Sequence, residues 1–331
     1  MDKKISFLQA YGILLVVLIH SLRGHGELQV WIAQFIMPLF MFISGYLFSL
    51  GLDKRQIRIY DVKLFGNKGL LLNKAKRLLV PFTFVNLLAF FPKCLLNSYA
   101  DHPAELSLSF FCRQYIYPYE SVVIFLWFLP TLLLVFVSIV FIAKLFFAAR
   151  IELPCWFWML CSLILLLVNP FADVEFLNIG KVVYYNFFFL FGVSWFKYGI
   201  AEYIVKYMRF VFPISLLGLL ALPCLPYFYD NGVTAAIIGI VMSFCLATLY
   251  VQKRWKFLNH LFGASYTIYL LSWFPQVLCQ QVLLSVIDIP WQVGSILALI
   301  TGAYFPFLVH VILTKWSDYK LAKVALFLMG Q

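Results

Sequence analysis

Apolar residues along this chain gather in long unbroken runs, and the charged residues fall between the runs rather than alternating within them. A helix that crosses a bilayer core needs about 20 such residues. About ten segments qualify on that measure: residues 5–22, 30–50, 78–98, 121–143, 153–171, 182–197, 210–228, 232–251, 261–284 and 291–314. None shows the two-residue alternation of a membrane β-strand. The pattern predicts an all-α fold, a polytopic membrane bundle of about 10 transmembrane helices, as a single domain over residues 1–331. The first segment carries no small-residue cleavage site and is followed at once by others, so it reads as a retained membrane helix.

The loops predict an orientation. One side of the bundle receives only Arg23, Lys93, Arg113 and Lys181, and the opposite side collects the rest of the 25 Lys and Arg. That bias places both termini in the cytoplasm. Two loops exceed a tight turn. One, at 51–77, is strongly basic; the other, at 99–120, carries Asp101, His102, Glu105, Arg113 and the tyrosines Tyr115, Tyr117 and Tyr119. No internal repeat is visible, so an inverted-repeat transporter gains no support.

Composition agrees with the runs. Hydrophobic residues make up 64% of the chain and charged residues 12%, where a soluble domain carries about 25% charged residues. The net charge of +11 would suit nucleic acid, but its confinement to alternate loops assigns it to orientation, and no nucleic-acid partner is expected. The seven cysteines show no CxxC and no metal-ligand spacing. Cys94 and Cys112 flank one long loop and could pair in an oxidising compartment; packing is the favoured reading.

Candidate chemistry begins at His20, near the end of the first segment. An imidazole in a membrane span is costly unless it faces a partner or a wet cavity, which makes it a functional candidate by default. Snorkelling toward headgroups competes, because polar groups near span ends are cheap and Arg23, His25 and Glu27 follow closely. Gln9 lies on the same helical stripe, within about 20° of His20 and about 16 Å away along the axis. Lys74 and Arg77 share a face at i, i+3, a pair suited to the phosphates of a bound anion or to anionic headgroups. Ser265, Tyr269, Ser272, Gln276 and Gln280 form a polar stripe on the ninth span, facing either a cavity or a hydrogen-bonded neighbouring helix. Ser44 and Gly45 interrupt a bulky stretch, MPLFMFISGYL, where a small residue serves close helix approach. Trp127, in LWFLPT, is an interfacial aromatic ahead of a kinking proline.

These segments, in their order along the chain, resemble the acyltransferase 3 family of integral-membrane enzymes that acylate extracytoplasmic or lipid-linked glycans. FLQAYGILLVVLIH is similar to that family's first helix, FMFISGYLF to its second, and KAKRLLVP to the basic motif before its third. LWFLPTLL and GASYTIYLLSWFP are similar to later helices. The chain looks most like the short, stand-alone sugar O-acetyltransferases similar to fucose 4-O-acetylases. The resemblance implies acetyl-CoA as acyl donor, a glycan or lipid-linked glycan as acceptor (O-antigen, capsule or exopolysaccharide), no metal, and a place in a bacterial cytoplasmic membrane among membrane lipids. It leaves room for a homo-oligomer or for glycan-assembly partners. It implies His20 as general base and Lys74, Arg77 and Gln9 as donor-binding residues, with Ser44, Tyr46, Trp127, Tyr269, Ser272 and Gln276 lining a cavity. Two positions depart from the family pattern. Gln9 stands where a basic residue is usual, and Ser272 stands where many relatives carry histidine. A glycan transporter or flippase without acyl transfer is the competing class, and an inactive partner of a polysaccharide synthase is a third.

Overall fold

The protein is described by a computed structural model over residues 2–22, 26–95, 105, 107–224, 232–283 and 289–330. Arg23, His25, Asp101 and His102 lie outside the described residues. Every regular element among the described residues is helical. The long helices are α1 (Lys3–Ser21), α2 (Gly26–Lys54) and α3 (Leu70–Leu95). A short α4 (Leu108–Arg113) leads to α5 (Phe128–Ala148), α6 (Cys155–Val168) and α7 (Ile179–Lys197). Then come α8 (Ile200–Lys206), α9 (Met208–Ala221) and α10 (Gly232–Gln252). The broken run α11 (Ser265–Leu271), α12 (Trp273–Val277) and a π-helical turn (Leu278–Leu283) follows. It is succeeded by α13 (Trp291–Lys315) and α14 (Lys320–Leu328).

Seven of these helices are long and apolar enough to cross a membrane, or up to eight if a pair bent by 95° at α8 and α9 is one span. That is fewer than the about ten expected from the apolar runs, and each shortfall has a local cause. The run at 153–171 yields a helix of only 14 residues, because Pro154 starts it and Asn169, at φ 26°, stops it. The run at 261–284 is helical but broken. Pro275 has no N–H to return to the carbonyl of Leu271, and the chain loosens into the π-helical turn beyond it. The run at 210–228 keeps its helix only to Ala221 before a 3-10 turn at Leu222–Cys224. No disulfide forms among the described residues.

α1 runs through the middle of the bundle, touching α2, α10, α11 and α13. Its Ile5, Leu8 and Val17 are wholly shielded. The most extensive helix pairing joins α2 to α7. Between apolar helices in lipid there is little hydrophobic drive, so close van der Waals approach must supply the attraction. Two glycines allow it. A Cβ on Gly45 would sit 1.9 Å from the carbonyl oxygen of Phe189, and one on Gly192 would sit 2.0 Å from that of Phe42. Phe42 and Trp195 then meet edge to face at 5.2 Å beside the crossing.

Gly192→Ala forces backbone against backbone, an overpacking that costs about 1–3 kcal/mol. We expect a lower thermal unfolding midpoint of the detergent-solubilised protein, with Gly51→Ala, at an open position of the partner helix α2, unchanged.

Candidate functional site

The site begins where α1 stops. The last carbonyls of a helix have no N–H ahead of them, and within a bilayer no water replaces that partner. Two glutamine side chains, Gln280 and Gln29, do so here, and a third, Gln276, braces the turn before, at a carbonyl that Ser21 Oγ also reaches at 2.7 Å. Gln280 Nε2 donates to the carbonyl of His20 at 2.7 Å. Gln276 Nε2 donates to the carbonyl of Val17 at 2.8 Å and to the hydroxyl of Ser21 at 2.9 Å. Gln29 Nε2 donates to the carbonyl of Ile19 at 2.6 Å and also to that of Leu22. The end of α1 is thus pinned from α2 on one side and from the α11–α12 run on the other. Gly302 of α13 lets the second contact form, since a Cβ there would press on Gln276 at 2.9 Å and on Val17 at 3.0 Å.

Pinned in this way, His20 exposes its ring to a cavity of about 510 Å³. The ring lies 5.3 Å from that of Phe125, tilted by 38°. Neither ring nitrogen is hydrogen-bonded among the described residues. Trp127, Tyr269 and Gln276 line the same cavity, as do Lys93, Tyr185 and Trp273. Lys93 Nζ donates to the carbonyl of Val122 at 2.8 Å, which leaves other ammonium hydrogens uncommitted. Among the described residues, none that lines the cavity is an Asp or Glu.

The wall around Phe125 is rigid for reasons visible in its bonds. The buried Asn86 of α3 accepts from the N–H of Val123 at 2.9 Å. Ser121 Oγ donates to the carbonyl of Val123 at 2.9 Å. Tyr269 donates its phenol to the carbonyl of Phe125 at 2.6 Å. Trp127 is stacked with Tyr119 at 5.0 Å and with Tyr185 at 5.7 Å. The cavity therefore offers one imidazole that can take or give a proton, one ammonium, and an aromatic wall held in place by three separate helices.

The other residues singled out in the sequence sit elsewhere. Gln9 is partly buried on α1 and does not line the His20 cavity. Lys74 and Arg77 sit in the first turns of α3, at the opposite end of the bundle from His20. Lys74 Nζ stands 3.7 Å over the ring of Phe136. Arg77 is exposed, and its carbonyl accepts from the phenol of Tyr266 at 2.7 Å. Ser44 donates to the carbonyl of Phe40 at 2.8 Å, within its own helix. Tyr46 packs edge to face on Phe196 at 5.3 Å. Ser272 is buried and lines no part of the cavity. The ninth-span stripe has both of the uses open to it: Gln276 bonds a neighbouring helix and lines the cavity at once.

Lys93 and Gln29 were not singled out in the sequence. Lys93 falls within the apolar run 78–98, and an ionisable residue there is a functional candidate on the same grounds as His20, although charge bias counts it with the loops. Gln29 gives no sequence signal, because its partners are the carbonyls of another helix.

A family model described as an acyltransferase domain, that of the acyltransferase 3 family, matches residues 2–315. Comparison with curated proteins returned no match, and comparison with solved structures returned none.

Replacing Gln280 by Leu strips the carbonyl of His20 of its side-chain donor. An interhelical hydrogen bond in a membrane is worth about 0.6 kcal/mol on average and up to about 1.7. We expect Gln280→Leu to lower the thermal midpoint modestly and to raise the reactivity of a cysteine placed at Leu22, read by the rate of labelling with a membrane-impermeant maleimide.

Proposed function

The chain belongs to the acyltransferase 3 family and is thus a membrane acyltransferase with several spanning helices, and from that premise we propose that it moves an acetyl group from acetyl-CoA to a sugar hydroxyl of a surface or lipid-linked glycan. The observation that carries the reading is His20, an imidazole exposed on the wall of a 510 Å³ cavity inside a membrane bundle. Histidine is the side chain most often used as general base for a hydroxyl.

The reaction follows from that placement. The acceptor hydroxyl gives its proton to His20 as its oxygen attacks the thioester carbonyl. The carbonyl oxygen gains negative charge in the tetrahedral intermediate, and the Lys93 ammonium on the same wall stabilises it. Collapse breaks the carbon–sulfur bond. The thiolate leaves with the proton held by His20, giving CoA and the acetyl ester. Trp127 and Tyr269 support the wall against which the sugar lies.

Lys74 and Arg77 take the phosphates of acetyl-CoA at the basic end, with Gln9 between them and His20 on the α1 stripe. In this reading the basic end faces the cytoplasm, both termini lie there, and the bent α8–α9 pair, α6 and the broken α11–α12 run complete about ten crossings of a bacterial cytoplasmic membrane. Donor and acceptor then approach from opposite faces. A transporter of the same glycan would need neither the donor nor His20, and consumption of acetyl-CoA separates the two.

His20→Ala should abolish acetylation while the protein remains in the membrane. We expect proton NMR of the surface glycan to lose its O-acetyl methyl signals in a deletion strain and in one complemented with His20→Ala, with the polymer intact. Retained signals with well-expressed variant protein would remove His20 from the reaction. Lys93→Met should lower kcat by about 10²–10³, the size of one lost oxyanion donor, with acceptor KM little changed. A raised KM at constant kcat would instead make Lys93 an acceptor-binding residue.

A further inference from the structure

A second, larger cavity lies apart from His20. It measures about 840 Å³ and, among the described residues, shares no lining residue with the first. Its walls come from α2, α5, α6 and α7, and residues 57–60 cross its mouth. Along α7 it extends from Lys197 to Asn186, about 16 Å of helix. Along α6 it extends from Cys155 to Leu165, about 15 Å. It is therefore a slot running parallel to the helices, open at the basic end of the bundle.

The two ends of the slot differ in chemistry. Asp53, Arg58, Glu152 and Lys197 surround the mouth. Arg58 is an exposed guanidinium paired with Asp61 at 3.1 Å. Below the mouth the walls are hydrocarbon and aromatic, with Ile139, Phe146, Leu165 and Leu190 among them. At the depth of Asn186 the amide oxygen accepts from the Ser138 hydroxyl at 3.3 Å. An apolar void of this kind does not hold water, whereas a lipid tail enters from surroundings as apolar as the slot.

We propose that this slot binds one acyl chain of a bilayer phospholipid with a zwitterionic headgroup. The chain lies along α6 and α7. The phosphate meets Arg58 and Lys197, and the ammonium meets Asp53 and Glu152. An anionic headgroup would lack a partner for the two carboxylates. A bilayer lipid of this class is at hand wherever the helices span a membrane, and the charged residues of the mouth stand at helix ends, Asp53 in the last turn of α2 and Lys197 at the end of α7. The inference rests on the slot alone and not on acetyl transfer, so either can fail without the other.

The test uses the full chain in vesicles of phosphatidylethanolamine and phosphatidylglycerol. A phosphatidylethanolamine carrying a photoactivatable diazirine in its acyl chain is added, irradiated, and its adducts are mapped by peptide mass spectrometry. Expected are adducts on slot residues such as Phe146, Leu165 and Leu190, reduced several-fold in Leu190→Trp and in Cys161→Trp, which fill the slot from different helices. The matching phosphatidylglycerol probe should label the slot several-fold less. Adducts confined to the exposed Leu160 and Ile164 on the outside of α6 would overturn the site. The wild-type map decides this even if neither Trp variant folds. Undiminished labelling in folded Trp variants would overturn it as well. Equal labelling by the two probes would overturn the headgroup assignment, and displacement by palmitoyl-CoA would give the slot to an acyl donor instead.

Discussion

A helix that ends inside apolar surroundings must find donors for its last carbonyls, and the site of this protein is built on how α1 meets that demand. Water would serve at a soluble helix end; here Gln29 and Gln280 serve, and Gln276 braces the turn before. The consequence is positional. Two of the three glutamines reach α1 from the broken run of α11, α12 and the π-helical turn, so the carbonyl of His20 and the wall opposite its ring belong to one network. Tyr269, on that same run, bonds the carbonyl of Phe125, whose ring faces the imidazole. The break at Pro275, which costs the run its regularity, lies beside the glutamines that cap α1.

The second constraint is the glycine crossing of α2 and α7. Gly45 and Gly192 let two backbones touch, and that contact sets where α7 lies. α7 in turn partitions the bundle. Tyr185 faces the His20 cavity, and its neighbour Asn186 faces the larger slot. Successive residues on a helix point about 100° apart, so one helix can wall two chambers with adjacent side chains. A shift of α7 would alter both chambers together.

Several features were legible in the sequence because they rest on local cost. His20 stood out because an imidazole in an apolar run needs a reason to be there. Gln276 stood out because it lies on a polar stripe at helical spacing. Gly45 sits where two helices approach closely, as a small residue in a bulky run suggests, whereas Ser44, expected on a cavity wall, donates within its own helix. Lys93 carried the same signal as His20 but was assigned to a loop, since charge counting treats every lysine near a span end alike. The count of about ten spans came from apolar length alone, which does not register that Pro275 or Asn169 interrupts a helix.

The order of apolar runs and basic loops, by itself, determined that the chain is a helical membrane protein and which histidine to look at, because burying polar groups in lipid is expensive wherever the helices lie. Only the tertiary structure decided which polar groups share a cavity. His20 and Lys93 lie on different helices, 73 positions apart, and no spacing rule links them. Their meeting depends on glutamine donors reaching the carbonyls of α1 and on α3 holding the segment 121–125 against it, contacts between residues distant in the chain that form only once the helices have packed.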